Sequence, residues 1–211
     1  MKIQINKPSF FYQHLAGPIT DSIISLMKNN IKSHSDTIDW IYNHKIDDEY
    51  NYVNWNFKLS RSKSLQRSYD IWATAGLDEC AEPAIDINIV LPAHARQKSI
   101  VIDRPELFGT VAHELHHIAQ NTQSDYAIKR VSSNKVLDYF LDPFEIEAFH
   151  IGFRAQSALS GAIISDIARH YLRNYKLSES NLTKIVTAWQ NTDFPIFELA
   201  SAAELGDSYA I

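Results

Sequence analysis

Three histidines fall between positions 113 and 117, in the run TVAHELHHIAQN (110–121). His113, Glu114 and His117 have the spacing His-Glu-x-x-His. On a helix, residues i and i+4 share a face, so two imidazoles can approach one cation together. The glutamate between them stands one step round, where it can reach a water on that cation instead of the cation itself. Two imidazoles do not complete a catalytic zinc site, which takes three protein ligands and a water. One class of such sites places a third histidine in His-Glu-x-x-His-x-x-Gly-x-x-His. The corresponding positions here are Gln120 and Gln123, which removes that class. Another class draws a glutamate from a later helix, and DPFEIEAFHIGFR (142–154) offers Glu145 and Glu147.

Helical periodicity sorts these residues. Leu107, Phe108, Val111, Ala112, Leu115, Ile118 and Ala119 collect into one apolar stripe. His113 and His117 lie opposite it, facing a cleft or solvent, with His116 at the boundary. In the later segment, Ala148, Ile151, Gly152 and Ala155 form one apolar set, and Ile146, Phe149 and Phe153 another. Glu147, His150, Arg154 and Ser157 form a polar stripe read as the solvent side. Glu145 falls between the apolar sets and is carried inward, where a charge must be paired or bound to metal. Asp142-Pro143-Phe144-Glu145 also reads as a capping box, in which the glutamate reaches back to the backbone N–H of the cap and needs no metal. With His-Glu-x-x-His upstream, Glu145 is the expected ligand.

A His-Glu-x-x-His run followed within a few tens of residues by Glu-x-x-Ala on the next helix resembles the glutamate-zincin (gluzincin) group of metallopeptidases. More narrowly, HELHHIAQ with PFEIEAF is similar to zincin-like proteins of tailed phages and large DNA viruses. The resemblance covers about 104–154. It implies a zincin-type fold, with the two-histidine helix packed under a small sheet and Zn2+ held by His113, His117 and Glu145. It further implies hydrolysis of a peptide or protein substrate with Glu114 as general base, and a strand just before the motif helix (85–91 or 99–103) to whose edge an extended peptide adds. Many relatives carry Asp or Asn four residues after the ligand glutamate, where it supports a ligand histidine. Phe149 occupies that position here.

Competing chemistries leave different marks. Peptide deformylases also use His-Glu-x-x-His, with an upstream cysteine as third ligand, and Cys80 is the single cysteine of this chain. The glycine-rich element of that family is missing. A protein-binding module with a structural zinc would place a fourth side chain on the metal. A metal-free α+β domain would bind none. In peptide hydrolysis the developing oxyanion needs a further donor, for which His116, Tyr126, Tyr139 and Tyr171 are candidates.

Composition narrows the partners. Net charge is −5 with a pI near 6.0, so there is no excess of Lys and Arg to neutralise a phosphate backbone, and nucleic acid is not an expected partner. None of the six glycines has a nucleotide-cradle spacing, and one cysteine excludes an internal disulfide or a multi-thiolate cluster. No apolar run reaches the roughly 18–20 residues of a membrane span. The start MKIQINKPSFFYQH lacks the apolar core of a signal peptide. A cytoplasmic protein is expected (in the host cytoplasm if viral), with no membrane partner.

The elements that must position the site follow from pattern. A single α+β domain is expected over 1–211, with an α/β part to about 104 and a helical part from 105 onward. A helix is expected from Pro18 to about Ile31, and a short one after Asp36 with Ile38, Ile41 and Tyr42 inward. Val53, Trp55, Phe57 and Leu59 alternate with polar residues as in a half-buried strand. Residues 85–91 and 99–103 read as further strands joined through 92–98. From Pro105 the chain reads as helical, broken near 121–124, 132–134, 142, 175–181 and 192–195. Region 60–84 carries no clear pattern. Trp40, Trp72 and Trp189 read as packing residues.

Overall fold

The computed structural model describes residues 8–30, 37–45, 52–65, 69–77, 83–93, 102–123, 136–192 and 196. In chain order these form α1 (Pro8–Asn30), β1 (Thr37–Lys45), β2 (Tyr52–Ser62), β3 (Asp70–Leu77), β4 (Pro83–Pro92), α2 (Arg104–Gln123), α3 (Val136–Leu141), α4 (Pro143–Ser160), α5 (Ile164–Arg173) and α6 (Glu179–Gln190). A small mixed sheet and a mostly helical C-terminal half are therefore both present. No described helix is long and apolar enough to cross a membrane.

The sheet has the order β1-β2-β4-β3, with a parallel central pair β2/β4 and antiparallel strands on either side. Period-two alternation builds it. Val53, Phe57 and Leu59 of β2 and Ile85, Ile87, Ile89 and Leu91 of β4 are buried, with Asp86 and Lys58 exposed between them. That apolar face meets Leu15, Ile19, Ile23 and Met27 of α1 and the expected stripe of α2, from Leu107 to Ile118, in one core. A second core joins α3–α6 around Phe140, Phe149, Phe153, Leu172 and Trp189. The Trp189 indole N–H donates to the Phe140 carbonyl at 2.9 Å, so its one polar atom is satisfied inside. Residues of the C-terminal segment thus complete the packing of α4.

Several expectations are corrected. Residues 37–45 form a strand and not a short helix. Ile38, Trp40 and Tyr42 recur at every second residue, and the segment pairs antiparallel with β2 from Thr37↔Ser60 to Lys45↔Tyr52. Pro18 lies inside α1, which begins at Pro8. Buried Leu15 and Ala16 continue the apolar stripe upstream, and their burial helps offset the roughly 3 kcal/mol of an interior proline. Unassigned 60–84 contains β3. Trp72 on that strand is exposed, not packed, whereas Trp189 is buried; the side chain of Trp40 lies outside the described residues. Of the expected third strand, 99–101 and most of the 92–98 loop lie outside the described residues, and Ile102 and Asp103 lead into α2 without strand structure. The helical breaks near 142 and 175–181 are present. Another, at 161–163, follows Gly161, whose φ of 72° closes α4 in the left-handed region.

α2 and α4 run antiparallel in close contact, and two glycines permit it. A Cβ built on Gly152 would stand 2.9 Å from the Gly109 carbonyl oxygen and 3.2 Å from His113 Cβ; one on Gly109 would stand 2.8 Å from the Gly152 carbonyl oxygen. Glycine inside a helix costs about 0.5–1 kcal/mol relative to alanine. Here it removes a clash with backbone that cannot rotate away. Gly152→Ala is therefore expected to destabilise the fold by about 1–3 kcal/mol, the range for overpacking, despite its better helix propensity. Chemical denaturation checks this. A variant as stable as the parent would mean that the helices have room to separate.

Candidate metal centre

The face of α2 opposite the sheet is covered by α4 and is not open to solvent. His113, Glu114 and His117 are 8%, 5% and 4% exposed. The contact brings the first turn of α4 over the second histidine, so Glu145, 7% exposed, turns its carboxylate to both rings. Its Oε2 lies 3.2 Å from His117 Nε2 and 3.4 Å from His113 Nε2, and the two nitrogens are 3.1 Å apart. Donors at 2.0–2.1 Å from a tetrahedral zinc stand about 3.3–3.4 Å from one another. The triangle has close to that edge, and two imidazole nitrogens with one carboxylate oxygen are a donor set zinc accepts. Among the described residues this is the one group of three His, Cys, Asp or Glu side chains disposed to hold a metal ion.

Electrostatics agrees with the geometry. Burial by itself pushes the Glu145 carboxyl up, but hydrogen bonds from His113 and His117 outweigh it and hold the group well below the usual carboxylate range. The capping box does not form in full. Asp142 accepts from the Phe144 N–H at 3.0 Å, while its own N–H goes to the Tyr139 carbonyl at 3.3 Å. Glu145 is left to the imidazoles.

Glu114 stands beside the triangle. Its Oε1 is 3.9 Å from His113 Nε2, and its Oε2 is buried with no hydrogen-bond partner among the described residues. A buried carboxylate oxygen without a partner is costly, so its retention calls for a reason. Of the oxyanion-donor candidates, Tyr139 is the one that feels both Glu145 and Glu114; desolvation of its hydroxyl, then those two charges, push its pKa far up, which keeps it a donor. Tyr171 bonds to the Tyr175 hydroxyl at 2.9 Å, and His116 Nε2 faces Glu147 Oε1 at 3.4 Å. Tyr126 lies outside the described residues, as does Cys80.

The polar stripe assigned to solvent on α4 is only partly so. Glu147 and Arg154 are exposed, but His150 is buried. Burial, then the nearby charges of Arg154 and His116, lowers the His150 pKa to about 4. Glu147 is not among the converging donors; its carboxylate engages His116 and Gln120, and the His116 contact is the main cause of its lowered pKa. Phe149 packs its ring 4.8 Å from the His113 ring. β4 is paired on both sides, so residues 85–91 have no edge for an added peptide; β3, which packs on α2, is a terminal strand of the described sheet. Sequence reasoning missed Gln120, which is buried against His117. Its position one turn beyond His117, on the same side as the histidines, was the available signal. No family model, curated protein or solved structure matches this chain.

Proposed function

We propose that this chain is a zinc-dependent peptidase of zincin type, hydrolysing peptide bonds with Glu114 as general base. The observation that carries the reading is the triangle of His113, His117 and Glu145 donors, with a buried oxygen of Glu114 beside it that has no hydrogen-bond partner among the described residues. When bound, zinc supplies a Lewis acid that polarises a carbonyl and makes water nucleophilic at neutral pH. Glu114 takes the proton of the attacking water at Oε2 and returns it to the departing amine nitrogen. The Tyr139 hydroxyl donates to the oxygen that gains charge. Among the described residues no strand pairs with the outer edge of β3, and an extended substrate pairs its backbone there.

The test is metal content together with hydrolysis of an unbiased fluorogenic peptide library. Protein purified without chelator is expected to carry stoichiometric zinc, to lose hydrolysis on treatment with a strong chelator, and to regain it on zinc addition. Hydrolysis that survives metal removal would overturn the mechanism. Bound zinc with no hydrolysis of any library member would overturn the enzymatic reading in favour of a structural zinc.

A further inference from the structure

Behind the triangle, one side chain touches both helices that carry ligands. Gln120 lies on α2, three residues past His117, and is 8% exposed. Its Oε1 is 2.8 Å from His117 Nδ1. Its Nε2 donates to the Phe144 carbonyl at 3.1 Å and to Glu147 Oε2 at 2.9 Å. These contacts decide which end of the amide is which. A backbone carbonyl can only accept, so the amide nitrogen must face Phe144 and the amide oxygen must face His117. That oxygen can only accept in turn. The ring therefore carries a proton on Nδ1, which makes Nε2 the nitrogen available to a metal.

We infer that Gln120 is the positioning residue of this centre, holding His117 in its metal-ligating tautomer and tying the chain beside Glu145 to the histidine helix. The inference rests on the metal reading proposed above. Its two halves act on two different ligands. The amide oxygen sets the rotation of the His117 ring, and the amide nitrogen, through the Phe144 carbonyl, sets how far the first turn of α4 stands from α2. Glu147 braces the amide from the exposed side. Phe149, packed 4.8 Å from the His113 ring, offers no polar atom, and the polar support of His117 comes from its own helix.

The experiment compares zinc affinity, by competition with a chromophoric chelator, and the imidazole N–H signals of the zinc-loaded protein by NMR. The wild type is expected to show a slowly exchanging N–H with cross-relaxation to the Gln120 side chain. Gln120→Leu is expected to lose that signal and to bind zinc roughly 10–100-fold more weakly. The double variant Gln120→Glu, Glu147→Gln keeps an acceptor on His117 Nδ1 but sets a carboxylate oxygen against the Phe144 carbonyl, so it retains the ring half of the role and removes the tie to α4. It is expected to restore the slow N–H and to bind zinc more tightly than Gln120→Leu but more weakly than wild type. Absence of zinc binding by the wild type would defeat the metal reading itself. Wild-type zinc affinity in a folded Gln120→Leu protein would defeat the positioning role alone. Should Gln120→Leu fail to fold, the double variant decides: folded, but without the slow N–H and with the full loss of affinity, it overturns the inference.

Discussion

Glu114→Gln is expected to lower turnover by roughly 10²–10⁴-fold, the range for a positioned general acid–base, while zinc content stays unchanged and thermal stability does not fall. The stability half of this expectation separates a catalyst from a packing residue. An amide has the shape of the carboxylate it replaces, so no cavity opens. Among the described residues the wild-type Oε2 is buried without a partner, and the other oxygen stands 3.9 Å from His113 Nε2. Keeping a carboxylate there works against folding, and removing the charge relieves desolvation even though the new amide N–H groups need partners. Residues placed for reaction are commonly bought at the expense of stability in this way. Peptidase rate and a melting curve of the same preparation give both numbers. Undiminished turnover with zinc bound would remove Glu114 from the chemistry. A large drop in melting temperature would mark it as a structural group instead.

Legibility in the sequence followed the range of the interactions. The i, i+4 pair His113 and His117 needs only a helix, and helix periodicity is local. Glu145 was legible because its place between two apolar sets implied burial in any packing of α4. The covered side of α2 was not, since a polar stripe looks the same whether water or a second polar stripe lies against it. His150 was assigned to solvent, and Gln120 passed over, for that reason. Gly109 and Gly152 likewise acquire meaning only as a pair, because each is the space for the other's carbonyl. In the sheet, β1 fits a short helix and a strand about equally by pattern, and its pairing of Trp40 with Phe57 across β2 settles the matter. β3 was illegible because Ala73, Ala75 and Gly76 differ too little in size to show alternation; partners on β4 order it. Strand order, with β4 between β2 and β3, is set by such non-local pairing.

Glu145→Ala is expected to abolish stoichiometric zinc, with a loss of affinity beyond the roughly 10–100-fold that removing a group behind a ligand costs. Two imidazoles cannot complete the three-ligand set. The metal-free protein should also suffer. The substitution leaves two buried ring nitrogens 3.1 Å apart without their shared carboxylate. Leaving a buried polar group without its partner costs about 1–3 kcal/mol. Acid titration tells this contribution apart from general damage. The folded-state pKa of Glu145 lies below its ordinary 4.5. Its stabilisation is therefore complete above about pH 4.5 and is lost as pH falls through the acid range, because the unfolded chain takes up the proton first. Metal-free wild type should lose stability steeply below that pH, and metal-free Glu145→Ala less steeply, so the two curves converge toward acid. Denaturant midpoints at several pH values supply the curves. Parallel curves would mean that Glu145 is not held by the imidazoles in solution. Full zinc retention in the variant would transfer the ligand role to another side chain, and Glu147 could take it only by releasing Gln120 and His116, which it now engages.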